Sequence, residues 1–153
     1  MKAEESRGAE GSGELELEPL TDVILGCAIT VQRNLGPGLL ESAHETCLAY
    51  ELERAGLRVR RQLLLDVMYG ELQLQGAYRL DLLVEDRVVI ELKTVERLTE
   101  FHDAQLLTYL RFSGHRIGLL INFWRWPLKN GGIKRILNPR VAPLSSASPL
   151  PSA

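Results

Sequence analysis

Residues 77–95 read AYRLDLLV-EDR-VVIELKTV. Two apolar, strand-like runs, Ala77–Val84 and Val88–Val95, flank a polar turn at Glu85-Asp86. Strands of this composition normally turn neutral side chains inward, yet Asp81, Glu91 and Lys93 fall inside these two. Glu91 and Lys93 are two residues apart, so a strand places both on one face. Asp81 joins that face only in one register. A two-residue loop opposes Val84 to Arg87 and turns Asp81 away from Glu91. A three-residue loop, Glu85-Asp86-Arg87, opposes Val84 to Val88 and Asp81 to Glu91. Two acids beside one Lys can hold a divalent cation and activate water near a phosphate. The plainer reading is a cross-strand ion pair on a wet sheet face. Loop parity separates the two.

Outward from the hairpin, the pattern reads as helix, helix, four strands, helix and two strands. Thr21-Asp22 can cap a first helix to about Asn34, and Gly36-Pro37-Gly38 breaks it. A second helix over Leu39–Ala55 stops at Gly56. Arg58–Val67 is extended, Tyr69-Gly70 turns, and Glu71–Gln75 returns ahead of the hairpin strands. Thr99 caps a helix over Glu100–Ser113, which Gly114 closes. Arg116–Phe123 is an apolar strand. A loop with Trp124, Trp126, Pro127 and Gly131-Gly132 leads to a short strand at Ile133–Leu137. The expectation is an α/β domain, a mixed central sheet flanked by helices. The folded unit is residues 20–138. Residues 1–19 (Glu, Gly and Ser-rich) and 139–153 (Pro, Ser, Ala and Leu) read as disordered.

At 153 residues with 45 % hydrophobic content, one domain with a full core is expected. No apolar run approaches the roughly 18–20 residues of a membrane span. The acidic start lacks the apolar core of a signal peptide, so a cytoplasmic location is expected. Cys27 and Cys47 sit in helical, apolar contexts and read as small buried thiols. The net charge of −2 excludes a strongly basic nucleic-acid binder. Because six Glu crowd the first twenty residues, the middle of the chain is near neutral and can still meet a phosphate backbone through local basic patches.

Two helices offer further chemistry. His102, Gln105 and Tyr109 lie on one stripe of the third helix and can orient a phosphate, a water or a base. A solvated helix face is the alternative. Glu41 lies on the inward stripe of the second helix, which continues through Leu48, Leu52 and Ala55. A carboxylate there needs a partner, and a cation at Asp81 and Glu91 is one; helix-dipole stabilisation alone is the other reading.

These residues together resemble a known family. Gly38-Leu39-Leu40-Glu41, Tyr78-Arg79-Leu80-Asp81-Leu82-Leu83-Val84, Glu91-Leu92-Lys93, the run His102 to Leu110 and Gly118-Leu119-Leu120-Ile121-Asn122-Phe123 look like the GxxExxY proteins of the PD-(D/E)xK nuclease-like superfamily. The resemblance spans nearly all of residues 21–138 and implies a restriction-endonuclease-like core. It also implies Mg²⁺ or Mn²⁺ as cofactor and nucleic acid, with DNA foremost, as partner. Asp81 and Glu91 match the metal-binding acids, with the Leu92 carbonyl completing the shell. Glu41 matches an assisting acid from an early helix. Lys93 matches the lysine that positions water and steadies phosphate charge. Gln105 and Tyr109 resemble a Gln-x-x-x-Tyr element of some exonuclease branches.

Arg79 and His102 are candidate nucleic-acid contacts. Trp124 and Trp126 can stack on bases, though loop or core packing is the expected role. The chain departs from the pattern at His44, where Tyr is expected, and at Gln32, where relatives commonly carry His. His44 is expected at a helix surface. The competing readings are a nuclease-fold module that binds nucleic acid or a protein without cutting, and a hydrolase of another phosphoester in a deep closed pocket. No membrane partner is expected, and a homo-oligomer is left open.

Overall fold

The computed structural model describes residues 12–140. Three helices and five strands follow one another as α1 (Ser12–Leu35), α2 (Glu41–Arg54), β1 (Val59–Tyr69), β2 (Leu72–Val84), β3 (Val88–Lys93), α3 (Glu100–Ser113), β4 (Ile117–Asn122) and β5 (Ile133–Leu137). The strands form one sheet in sequence order. All neighbours are antiparallel except β3 and β4, which run parallel through the α3 crossover. This is the expected mixed sheet flanked by helices.

Each face of the sheet carries its own apolar layer. Ile24, Ala28 and Val31 of α1 and Leu48 and Leu52 of α2 pack on Leu82, Val84, Ile90, Leu92, Leu119 and Ile121. On the other face Leu106 and Leu110 of α3 meet Tyr78, Leu80, Leu83, Val89 and Leu120. The central strands β3 and β4 are buried throughout, apart from half-buried Lys93 at the end of β3. Covering on both faces explains why they read as continuous apolar runs rather than as alternating ones.

Two boundaries differ from the sequence reading. That reading starts the first helix at Thr21-Asp22 and leaves residues 1–19 irregular; α1 begins at Ser12 and carries Pro19 inside it. The Glu-Leu-Glu-Leu-Glu run at residues 14–18 consists of strong helix formers, a preference that composition alone conceals. Thr21, read as a cap residue, is buried within the helix. The disorder expected for residues 1–11 and 141–153 lies outside the described residues. The second difference is in the sheet. Glu71–Gln75 and Ala77–Val84, expected as two strands, form the single thirteen-residue β2. Gly76 adopts φ +56 and donates its N–H to the Asp66 carboxylate on β1 at 2.7 Å. The register of β1 on β2 shifts at that point, between Leu65 and Val67. A glycine bulge held by an aspartate from the partner strand bends the ladder without ending it.

Candidate active site

The hairpin between β2 and β3 sets the site. Glu85 and Asp86 both take positive φ (54° and 56°), and Arg87 N–H donates to the Val84 carbonyl at 2.9 Å. The turn is therefore of the mirror-image kind that matches strand twist. Arg87 is an extra residue before the ladder resumes at Val84 opposite Val88. The pairs Leu83 to Val89 and Leu82 to Ile90 follow, so the next opposed residues are Asp81 and Glu91. This is the register that a shared site requires.

The regular ladder stops there and the two carboxylates replace it. Asp81 N–H donates to Glu91 Oε1 at 3.1 Å, and Leu92 N–H donates to Asp81 Oδ2 at 2.9 Å. Each acid thus binds an amide of the opposite strand, and both are buried. The pleat also turns at this point. Leu82 and Val84 face α1 and α2, whereas Tyr78 and Leu80, which strict alternation would place with them, face α3. Gln62 of β1, bracketed by the pairs Arg61–Leu82 and Leu63–Leu80, has φ +50. A local twist of both strands therefore turns Asp81 into the space between β2 and β3.

Burial of two like charges has the expected electrostatic result. Burial first, and then the Asp81 charge, push the Glu91 carboxyl up to about 8. Asp81 is also raised, chiefly by burial, with the Leu92 amide, Lys93 and Arg79 opposing. Glu41, in the exposed first turn of α2, is raised by partial burial of its carboxylate and by Asp81. Lys93, the last residue of β3, donates from Nζ to Gln105 Oε1 on α3 at 3.1 Å. One turn further on, Tyr109 stacks on Tyr78 with ring centres 5.2 Å apart. Burial, followed by the charges of Glu91 and Asp81, raises its phenol, so Tyr109 stays protonated at neutral pH. The exposed Arg79 acts on Glu41, Asp81 and Tyr109 as a nearby positive charge.

The donor chemistry suits a hard divalent cation. Mg²⁺ prefers one or two carboxylates and completes its shell with water and substrate phosphate oxygens. Asp81 and Glu91 are two buried carboxylates whose pKa values are raised, chiefly by burial. Among the described residues no three His, Cys, Asp or Glu side chains form an all-protein metal cage. The fit is therefore to a two-carboxylate site, with Glu41 contributing electrostatically.

Residues 18–136 match the family model described as the PD-(D/E)XK nuclease superfamily. The chain belongs to that superfamily. No curated protein and no solved structure matches it. Membership supports a nuclease-type function, and the five-stranded mixed sheet with three helices agrees with the PD-(D/E)XK fold.

Of the residues singled out in the sequence, Asp81 is joined to Glu91 and Lys93 to Gln105 by hydrogen bonds, and the Lys93 charge acts on both acids. Glu41, Tyr109 and Arg79 enter their electrostatic surroundings. His102 does not join them: its Nδ1 accepts the Thr99 N–H at 2.9 Å and caps α3. His44, expected at a helix surface, is buried and stacks on Phe123 with ring centres 4.6 Å apart. Its ring nitrogens lie 3.3 and 3.4 Å from the Leu40 and Gly36 carbonyls. Trp124 and Trp126, expected to pack, are half exposed. Cys27 and Cys47, read as buried thiols, are free and only partly buried.

One residue near the site escapes sequence reasoning. Glu45 is buried, pairs with Arg61 at 3.1 Å and accepts a hydrogen bond from Gln62. Its charge raises both Asp81 and Glu41. The spacing Glu41-x-x-x-Glu45 is the only mark it leaves in the sequence.

Proposed function

We propose that this superfamily member is a divalent-metal-dependent phosphodiesterase that cuts nucleic acid, with DNA as the expected substrate, and that it is a GxxExxY protein. The observation that carries the reading is the interlocked pair Asp81 and Glu91 beside the Lys93–Gln105 bond. Asp81 and Glu91, aided by the Glu41 charge, would hold Mg²⁺ or Mn²⁺. Such an ion supplies a water of lowered pKa and polarises the scissile phosphate. Gln105 fixes the Lys93 ammonium, which then meets the negative charge that builds on the phosphate oxygens. Tyr109, kept neutral, offers an O–H donor to substrate or water. Arg79 stands at the rim, where a flanking phosphate would pass.

A second reading, a module that binds without cutting, is favoured by one specific observation: an oxygen of each acid already accepts a backbone amide. The test is to incubate the protein with single- and double-stranded DNA and RNA in Mg²⁺, Mn²⁺ or EDTA. Cleavage should need the metal and should fall roughly 10²–10³-fold in Lys93→Ala and Asp81→Asn, the loss typical of an electrostatic stabiliser. Cleavage that survives both substitutions sinks the assignment. Salt-sensitive binding without cleavage favours the module.

A further inference from the structure

The loop between β4 and β5 has the form of a stacking platform. Trp124 and Trp126 stand 50 % and 57 % exposed on it. They line an open cleft of about 460 Å³ together with Arg97, Arg125, Leu98, Asn122, Glu96 and Gly131. Two exposed indoles sharing one cleft form apolar surface of the kind that usually marks recognition, and the guanidiniums beside them add positive charge.

The backbone beneath them is fixed. Gln32, buried on α1, donates to the carbonyls of Phe123 and Arg125 and accepts the Leu128 N–H at 2.8 Å. Leu128 is buried as an anchor, and its carbonyl accepts the Gly132 N–H at 2.9 Å. A Cβ at Gly132 would lie 2.7 Å from that carbonyl, so the loop is closed too tightly for any other residue. Gln32 thus holds a rigid loop whose aromatic side chains project outward.

The cleft adjoins the candidate active site. Asn122 is in register with Lys93 across the parallel pair, and Phe123 N–H donates to the Lys93 carbonyl at 2.9 Å. Residues 96–98, which also line the cleft, lie in the segment between β3 and α3. The cleft therefore lies beyond the carboxyl ends of parallel strands, the usual ligand position in such sheets. Its polar groups are poorly suited to reading base edges. Asn122 Oδ1 accepts from Val95 and Trp124, and its Nδ2 donates to the Val95 carbonyl. What remains is aromatic face and a small excess of positive charge, Arg97 and Arg125 against Glu96, with Arg125 Nε also donating to the Asn130 carbonyl at 2.7 Å. This is the chemistry of sequence-tolerant stacking on unpaired bases.

We infer that this cleft binds unpaired nucleotides flanking the bond to be cut, so that the substrate is single-stranded or has a single-stranded end. The inference rests on the nuclease reading above and adds the substrate form. The chain's two tryptophans are the two in the cleft, so their emission reports occupancy without any cutting. In EDTA, a short oligothymidylate should quench the emission, and a blunt duplex of the same length should quench it far less. Measured by anisotropy of a labelled oligonucleotide, the double variant Trp124→Ala/Trp126→Ala should bind roughly five- to a hundredfold more weakly. Trp124→Phe/Trp126→Phe should restore most of the affinity, which a folding defect would not allow.

Equal affinity in the double Ala variant overturns the inference, as does equal quenching by blunt duplex. If single strands quench but no metal ever supports cleavage, the nuclease reading fails and the subsite stands. If metal-dependent cleavage occurs while the Ala variant binds like the parent, the subsite fails and the nuclease reading stands.

Discussion

Glu91 pairs function with instability at a single residue. Its carboxyl is buried next to Asp81, and only Lys93, itself bonded to Gln105, supplies nearby positive charge on β3. Glu91→Gln keeps an oxygen to accept the Asp81 N–H and removes the second buried charge. Without metal at pH above about 8, this variant should be more stable than the parent by about 0.5–2 kcal/mol, measured by calorimetry, while its cleavage falls at least a hundredfold. A variant less stable than the parent under those conditions would show that the charge is well compensated. Gln105→Ala leaves Lys93 without its partner. Because Gln105 orients a group that acts on the transition state, kcat should fall roughly ten- to a hundredfold with KM little changed; a change in KM alone would assign Gln105 to substrate binding. The hairpin acids and Lys93 stand out in the sequence as charges inside apolar runs, but the sequence leaves open the loop length that opposes Asp81 to Glu91; Gln105 follows from helical spacing. Glu45 was not legible, because its partners Arg61 and Gln62 lie on a strand whose pairing no local pattern announces. His44 was misplaced for a related reason: the ring it stacks on, Phe123, lies 79 residues away at the end of β4.

At the scale of elements, the site depends on two junctions. Glu85 and Asp86 already form a two-residue mirror-image turn, and Arg87 is the extra residue outside it. Deleting Arg87 lets Val88 close that turn, so Val84 still faces Val88 and Asp81 still faces Glu91. The variant should keep metal-dependent cleavage and melt close to Arg87→Gly, measured by calorimetry; loss of cleavage would mean that the extra residue itself shapes the site. The other junction is the crossing of α3 over β4. A Cβ on Gly118 would stand 2.9–3.0 Å from three atoms of the Leu106 side chain, which is fully buried. Gly118→Ala should therefore displace α3 and cost about 1–3 kcal/mol. Since Gln105 and Tyr109 flank Leu106 on that helix, cleavage should fall with stability, more than at an equally destabilised position on α1. The helices α2 and α3, the hairpin strands and the buried strand β4 were readable because length, breakers and apolar runs agree there, whereas the start of α1 was not. The continuity of β2 was hidden, since Gly76 reads locally as a breaker and its Asp66 partner comes from the neighbouring strand.

Across the whole molecule, the raised carboxylates make stability depend on pH and on metal. A carboxyl held near 8 in the folded state ionises at its ordinary value near 4.5 in the unfolded chain. Between these values the folded form binds more protons, so stability falls as pH rises. For one group the slope is at most about 1.4 kcal/mol per pH unit. Asp81 and Glu41 are raised as well and act in the same direction, while Lys93 and Arg79 oppose them. His115, buried and held below its ordinary 6.5 chiefly by that burial, destabilises the fold as pH drops beneath that value. The interval from about 6.5 to about 8 therefore reports on the acids. In EDTA the melting temperature should decline across it. A bound divalent cation replaces the missing positive charge and competes with the proton, so its stabilising effect should grow with pH. With millimolar Mg²⁺ the decline should flatten in the parent, whereas Glu91→Gln should be flatter already and respond little to the metal. A parent melting temperature that rises with pH in EDTA, or an Mg²⁺ shift of equal size in both proteins, would place the cation elsewhere than at Asp81 and Glu91.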